Sequence, residues 1–400
     1  MLLKAGWAKA EITPPLGHPL AGYVRRTSPG QGTSDPLLVR ALVLGTGRSR
    51  VALVTADILL FSNRWAERLR QKIAPVLNVD SSRVVLAATH THSGPVIDMA
   101  PFDFSPAGSK PQFASYASRV ERQILRSAEK AARSLSPVNA SFAKIRVRGV
   151  ASDRDRPQRF RSQPMFLLRF ESSSCAAVYG IYGCHSTVLG YSNALFSGDL
   201  LGGLARQLGS GEEFVLFGCG AAANISTRFT RRAQTPEELS RLTLLAASQA
   251  RKALYRPLDI ASVRVRVKNV FLRFRNLDIA PPTGVKGKGR LAEARAEALE
   301  NLCRLRQARE FRSSGASIAL TQIELGELSL LALPFEIGLS TGEFLWRRSN
   351  TIPLCYANGY WGYLPPSGAN AGDYEVISSA FPREADQQLK KAALTFLRSP

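Results

Sequence analysis

The chain has 400 residues, 45% of them hydrophobic, enough to bury a large core and too many for a disordered chain. Its formal charge of +22, carried mainly by arginine, makes a polyanion the physical expectation as a partner, either nucleic acid or an anionic membrane surface. The sequence has no zinc-finger, RNP or basic-zipper pattern for specific nucleic-acid binding, no window of the ~18 apolar residues that span a membrane, and five cysteines without the CxxC spacing of a thiolate zinc site.

The opening Met1-Leu2-Leu3-Lys4-Ala5-Gly6-Trp7 lacks the apolar core of a secretory signal, so the chain reads as unexported and cytoplasmic by default. Ala8 to Pro15 reads as a short strand entering a Gly- and Pro-rich ordered loop that ends at Gly22-Tyr23, because proline removes backbone donors. Leu37 to Leu44 and Val51 to Leu60 flank Gly45-Thr46-Gly47 as a hairpin. Trp65, Leu69, Ile73 and Leu77 recur every four residues and predict a helix over 63–77, after which Arg83 to Thr89 returns to strand. Strand 51–57, helix 63–77 and strand 83–89 form a βαβ unit with parallel strands and a right-handed crossover.

Sites in open α/β sheets lie beyond the carboxyl ends of the strands, and this unit runs into His90-Thr91-His92-Ser93-Gly94-Pro95. Strand residues two apart share a face, so both imidazoles can address one object: a metal, or a metal and a substrate oxygen. Asp57 falls at the same edge and suits a catalytic role and a loop-pinning role equally. Three of the four histidines, His90, His92 and His185, directly follow strand-like runs.

The segment from 96 to 111 reads as a loop carrying Asp98, Phe102, Asp103 and Phe104, followed by a helix over 114–136 with Tyr116, Val120, Ile124 and Ala128 as its apolar stripe. Strand 140–149 leads to a charge-dense run through Asp153, Arg154, Asp155 and Arg156. Strands 164–171 and 176–183 form a hairpin, and the second runs into Cys184-His185-Ser186-Thr187. Strand 176–183, helix 199–208 with Asp199 as its cap, and strand 213–218 repeat the crossover unit. This second unit delivers His185 and the small-residue loop 218–226, which lets a ligand approach backbone amides, to the same kind of sheet edge.

Thr235 and Glu238 form a capping box for a helix from Pro236 to about Leu254. Residues 263–267 alternate as a strand, 276–288 read as an exposed loop and 290–311 as a charged helix. Strands 316–325 and 328–333 pair across Gly326-Glu327, and the second ends in Leu333-Pro334-Phe335-Glu336. A carboxylate in that apolar setting needs a cation, a hydrogen-bond donor or a proton. Tyr356, Tyr360, Trp361, Tyr363 and Tyr374 follow; such aromatics either pack or supply a ligand or oxyanion donor. Residues 384–397 form an amphipathic helix, and most cysteines read as small buried apolar residues. The expected fold class is α/β, with mixed β-sheets, crossover helices and a site at the C-terminal ends of strands, built as one domain over 1–400 because no convincing linker interrupts it.

The HTHSGP run at 90–95, the Ala8-to-Gly22 segment, His185-Ser186-Thr187, Asn224-Ile225-Ser226, Leu333-Pro334-Phe335-Glu336 and the late Tyr-Gly region occur in the order seen in the neutral/alkaline (non-lysosomal) ceramidases. The chain resembles that family's N-terminal catalytic domain over residues 3 to 380, without the C-terminal immunoglobulin-like domain of longer members. The resemblance implies an amidase with one Zn2+ per chain that cleaves the N-acyl bond of ceramide or a related N-acyl lipid to an amine base and a fatty acid. It further implies His90, His185, Glu336 and Tyr363 as zinc ligands, His92 and Tyr374 as partners of the substrate carbonyl or attacking water, Arg154 or the neighbouring Arg156 as the active-site arginine, and Ser226 as nucleophile or substrate-hydroxyl partner. An anionic membrane surface could engage the basic face.

Two departures stand out. Ala223-Asn224-Ile225-Ser226-Thr227 replaces the family's Gly-Asp-[Val/Ile]-Ser-Pro and so removes a carboxylate that would activate the serine. Pro365-Pro366-Ser367-Gly368 replaces a Thr/Glu-rich stretch before Tyr374. Hydrolysis of another amide or ester, and metal-retaining ligand binding with weak catalysis, therefore remain as alternative readings, and salt-dependent nucleic-acid binding is the outsider.

Overall fold

A computed structural model describes residues 2–97, 110–159, 162–211, 213–278 and 289–398. Three sheets carry the fold. The first has the strand order Val84–Ala88, Ser49–Ala56, Leu38–Thr46, Leu3–Glu11, Ser136–Pro137. The second runs Phe214–Cys219, Ala176–Tyr182, Ser162–Glu171, Asn139–Arg148, Arg256–Pro257, and the third Val263–Arg273, Gly315–Leu325, Leu328–Ala332, Thr351–Leu354.

Both expected crossovers form. Ser49–Ala56 lies parallel to Val84–Ala88 across helix Asn63–Leu77, and Ala176–Tyr182 lies parallel to Phe214–Cys219 across helix Asp199–Leu208. The period-four stripe of the first helix is the cause of its docking: Trp65, Leu69, Ile73 and Leu77 are all fully buried, each contributing roughly 2 kcal/mol. Each sheet remains antiparallel at its hairpins, as at Leu38–Thr46 with Ser49–Ala56 and Ser162–Glu171 with Ala176–Tyr182, so the sheets are mixed. Leu42 and Leu53 of the first sheet, Leu168 and Tyr179 of the second, and Leu330 and Ile352 of the third share one buried cluster that holds the three sheets together.

This packing aligns the strand ends. Thr91 bridges Ser186 in parallel, the His92 amide donates to the Ser186 carbonyl at 3.2 Å, and the Cys355 amide donates to the Cys219 carbonyl at 2.8 Å. The chain segments after three different sheets are thereby sewn into one edge.

Several expectations shift. The opening strand is Leu3–Glu11, longer and earlier than the Ala8 start, because the apolar positions from Leu3 pair in register with 38–46. Helices occupy Lys110–Arg133, Pro236–Ala250 and Arg290–Gln307, the last followed by a short 3-10 turn at Arg309–Arg312 instead of a continuous helix to 311. The strand expected at 263–267 runs to Arg273, paired throughout with Gly315–Leu325. Asp199 does not cap its helix: Gly198 is the N-cap, and Asp199, at φ +45°, turns its carboxylate onto the amides of Val188 and Leu189 at 3.0 and 2.9 Å. Cys184, Cys219 and Cys355 are buried, whereas Cys175 and Cys303 are exposed. Asp98, Phe102, Asp103, Phe104 and most of the 276–288 loop lie outside the described residues. Among the described residues, no helix is long and apolar enough to cross a membrane.

Candidate active site

His90 stands two residues past the end of the Val84–Ala88 strand and turns into the left-handed region at φ +56°, with its ring stacked on Tyr356 at a centroid distance of 4.0 Å. Its Nδ1–H donates to the Leu59 carbonyl at 2.9 Å, and that acceptor leaves the Nε2 lone pair facing the site. His185 is held the same way, with Nδ1 at 2.9 Å from the Ala222 carbonyl and 3.2 Å from that of Ile225. His92 reaches the same point from the other side of the turn, its Nε2 3.3 Å from His90 Nε2. Gly22 makes room for that ring: a Cβ there would lie 2.7 Å from the His92 ring, and its φ of +98° disfavours any other residue.

Glu336 follows the strand Leu328–Ala332 of the third sheet, on the short strand Glu336–Ile337 that pairs with Tyr363–Leu364, and completes the cluster, with one carboxylate oxygen 2.9 Å from His185 Nε2 and the other 3.7 Å from His90 Nε2. It is almost fully buried and accepts hydrogen bonds from the hydroxyls of Tyr356, at 3.1 Å, and Tyr360. Burial by itself would raise the Glu336 carboxyl, but its imidazole neighbours His90 and His185 and the hydrogen bond from Tyr360 outweigh it and hold the carboxyl well below the usual range. Burial lowers His90 to about 4 and places His92 well below the ordinary imidazole value, so both rings are neutral at pH 7. Burial also pushes the Tyr360 and Tyr363 hydroxyls well up, keeping them protonated.

The donor set fits a divalent metal. Four donors at ~2.05 Å around a tetrahedral zinc lie about 3.3 Å from one another. The observed separations are 3.3 Å for His90 with His92, 2.9 Å for His185 with Glu336 and 3.3 Å for His185 Nε2 with the Tyr363 hydroxyl. The three imidazoles have ligand nitrogens all within 4.8 Å of one another. Lone pairs facing one another at such distances are unfavourable without a shared cation or proton, which makes the cluster a candidate metal centre. The geometry thus adds His92 to the reachable donors beside His90, His185, Glu336 and Tyr363.

Arg154, not Arg156, enters the site. Its Nε donates to Glu375 at 2.8 Å, its Nη1 lies 3.5 Å from the Tyr363 hydroxyl, and its guanidinium stacks 4.1 Å from the Tyr374 ring. Arg156 instead pairs with Asp373. Burial opposes the Arg154 charge, but Tyr363, Glu375 and Tyr374 more than offset it, so the group stays cationic. Its Nη2 and His92 Nδ1 are buried atoms without a hydrogen-bond partner among the described residues. Tyr374 receives a 2.8 Å hydrogen bond from Asn301 and borders the same cavity.

Ser226 lies on the two-residue strand Ile225–Ser226, which pairs with Ser152–Asp153 and so sets the serine beside Arg154. Its Oγ accepts the Arg228 amide at 3.3 Å, and among the described residues no basic side chain stands within hydrogen-bond reach of it. Asp57 is structural: it binds Arg40 and the Leu38 amide at 3.0 and 2.9 Å, away from the cluster. Glu375 and Asn301 are supporting residues that sequence reasoning did not single out, whereas Tyr356 and Tyr360, expected to pack or to supply a ligand or oxyanion donor, serve as hydrogen-bond donors to Glu336.

Two adjoining hollows meet at the cluster. One, of about 300 Å³, is lined by polar groups including Arg154, Ser226 and Tyr374; the other, of about 50 Å³, is bounded by Leu59, Leu60 and Leu305. His92, Tyr363 and Tyr374 border both.

The structure is similar over 99% of its length to two solved ceramidases. One is a ceramidase complexed with C2, with a TM-score of 0.75, 16% identity and 75% of that chain covered. The other is the neutral ceramidase from Pseudomonas aeruginosa, with a TM-score of 0.74, 16% identity and again 75% covered. At that identity the likeness establishes the fold. The family model described as neutral/alkaline non-lysosomal ceramidase, N-terminal, matches residues 3–210, just over half of the chain, and the chain therefore belongs to that family.

Proposed function

We propose that the protein is a zinc-dependent amidohydrolase that cleaves the N-acyl bond of ceramide or a related N-acyl lipid to a free amine base and a fatty acid. Family membership supports a hydrolase of N-acyl lipid. The observation that carries the reading is the meeting of His90, which follows the first sheet, His185, which follows the Ala176–Tyr182 strand of the second, and the paired Glu336 and Tyr363, at separations that suit one metal ion. These four residues would hold the ion, with His92 in reach.

A zinc ion held there supplies a Lewis acid for the amide carbonyl and lowers the pKa of water toward ~7. The chain's own groups do the rest. Arg154 Nη2, buried without a hydrogen-bond partner among the described residues, would be one donor to a carbonyl oxygen as it gains charge, and the His92 imidazole at the cavity wall a second. Tyr374, kept protonated by burial and oriented by Asn301, adds a third donor beside them. Tyr356 and Tyr360 fix the Glu336 carboxylate in its ionised form. Ser226, with no basic side chain hydrogen-bonded to it among the described residues and with Asn224 in place of an aspartate, orients the substrate while water attacks the carbonyl. A C–O bond forms, the C–N bond breaks and the amine leaves with a proton.

The test is fatty-acid release from an N-acylsphingosine by metal-analysed protein. About one zinc per chain with turnover is expected, both lost in His185→Ala. Ser226→Ala should lower kcat/KM about 10-fold, the loss of one orienting hydrogen bond, whereas complete loss of activity would indicate a serine nucleophile. Turnover that persists at the wild-type rate in His185→Ala would overturn the reading.

A further inference from the structure

The larger hollow has two chemically unlike walls. One is a face of the helix Arg290–Gln307, where Glu293, Glu297 and Asn301, spaced four residues apart, come to line the cavity together. The other is the chain that follows Ser226, which contributes Arg228, Arg231 and Gln234. A carboxylate offers only acceptors and a guanidinium only donors. Asn301 gives an amide N–H to the Tyr374 hydroxyl at 2.8 Å, which leaves its Oδ1 as a further acceptor on the helix wall. The first wall therefore accepts hydrogen bonds and the second donates them.

The two walls do not close on each other. Glu297 lies in the field of Arg228 and Arg25, yet among the described residues neither Glu293 nor Glu297 forms a salt bridge; Arg25 goes to Glu300 instead, at 3.6 Å. The Arg231 guanidinium donates to the Thr187 carbonyl. What these groups border is about 300 Å³ of space beside Ser226. Among the described residues, no leucine, isoleucine, phenylalanine, methionine or tryptophan lines it; the leucines stand at the smaller hollow.

This pairing of walls discriminates between occupants. An alkyl chain laid between them would cover carboxylate, guanidinium and amide groups without replacing the hydrogen bonds to water that they lose. An anion would face Glu293 and Glu297, and a cation would face the arginines. A hydroxyl suits both sides, since it donates through its hydrogen and accepts through its lone pairs.

We infer, on the basis of the amide-hydrolase reading, that the amine half of the substrate is an uncharged, polyhydroxylated group, an aminopolyol or amino sugar in place of a long-chain base, seated between the helix wall and the chain after Ser226. The acyl half faces the smaller, apolar hollow by Leu59, Leu60 and Leu305, so the substrate carries one alkyl chain and not two. Glu297 and Arg231 act as specificity residues, apart from the groups around the scissile bond.

Three amides that share a dodecanoyl chain test this in mixed micelles with zinc-loaded protein: N-dodecanoylglucosamine, N-dodecanoylsphingosine and N-dodecanoylglycine. The glucosamine amide should exceed each of the others in kcat/KM by about 10-fold or more, because a site built to hydrogen-bond hydroxyls rejects analogues that lack them. Glu297→Leu should shrink its advantage over the sphingosine amide about 10-fold, and Glu297→Gln, which keeps a carbonyl acceptor, should fall in between. A sphingosine or glycine amide turned over as well as the glucosamine amide, or an advantage unchanged in both Glu297→Leu and Arg231→Leu, overturns the inference and leaves the hydrolase reading standing. If no probe is cleaved, the hydrolase reading fails, and calorimetric titration of the same three amides decides the inference separately. Tighter binding of the glucosamine amide that weakens in Glu297→Leu supports it, and binding no tighter than that of the other two overturns it.

Discussion

Asn224 stands where the family pattern carries aspartate, and its surroundings require the amide. Its Nδ2 donates to Asp153 at 2.9 Å while its Oδ1 accepts the Leu339 amide at 3.0 Å, so one side chain joins the serine loop to the Arg154 segment and to the helix Leu339–Ser349. A carboxylate at 224 would face that of Asp153. Asn224→Asp should therefore cost about 1–3 kcal/mol at pH 7, read as a lower urea midpoint; an unchanged midpoint would contradict the bridging role. His18 gives a second residue-scale test. Burial lowers its pKa, its Nε2 lies 2.7 Å from the Val96 carbonyl and its ring packs on Tyr116. The unfolded chain then takes up a proton at a higher pH than the folded one does, so the contribution of His18 to stability is full above ~6.5 and is lost as the pH falls below it. His18→Gln should flatten that part of the stability curve in denaturant titrations between pH 5 and 8, and an unaltered slope would exclude His18 as its source. At this scale the histidines, Glu336 and the tyrosines could be singled out from their order along the chain. The choice of Arg154 over Arg156 could not, because it depends on which guanidinium finds Glu375 and which finds Asp373.

Elements with a strong period were legible, as helix 63–77 and the two crossovers are, because an apolar stripe or run fixes both type and partner. Boundaries were less so. The strand Val263–Arg273 has an alternating first half, but its second half is held mainly by pairing with Gly315–Leu325, a long-range contact that no local pattern encodes. The helix Arg290–Gln307 illustrates the same limit for the site: its charges suggest a solvated surface, yet Ala294, Glu297 and Asn301 form one wall of the larger hollow and Leu305 borders the smaller. It is attached to the rest of the molecule through a small separate cluster that includes Leu302, Phe311 and Ile377. Leu302→Ala, at a 1% exposed position, should remove about 2–5 kcal/mol of this packing. Hydrogen exchange should then quicken across 290–307 while the strands of the three sheets keep their protection; uniform loss of protection across the molecule would show that the helix is integral to the main core.

Across the whole molecule, the fold brings residues separated by up to some 250 positions in sequence to one point, with His90 supplied after a strand of the first sheet, His185 after one of the second and Glu336 after the Leu328–Ala332 strand of the third. An ion held by all three ties the sheets together, so its binding stabilises the folded state by mass action, about 2.7 kcal/mol at a free metal concentration of 100 Kd. Chelation should lower the melting temperature of the wild type while leaving its circular dichroism folded, because the sheets share their own apolar cluster. His185→Ala should melt at the same temperature with and without chelator, and a chelator effect that persisted in it would place the metal elsewhere. The most direct measurement is anomalous diffraction from crystals on both sides of the zinc absorption edge. One peak at about 2.0–2.2 Å from His90 Nε2, His185 Nε2 and a Glu336 oxygen is the result this account requires; hydrolytically active crystals with no peak among those atoms would contradict it.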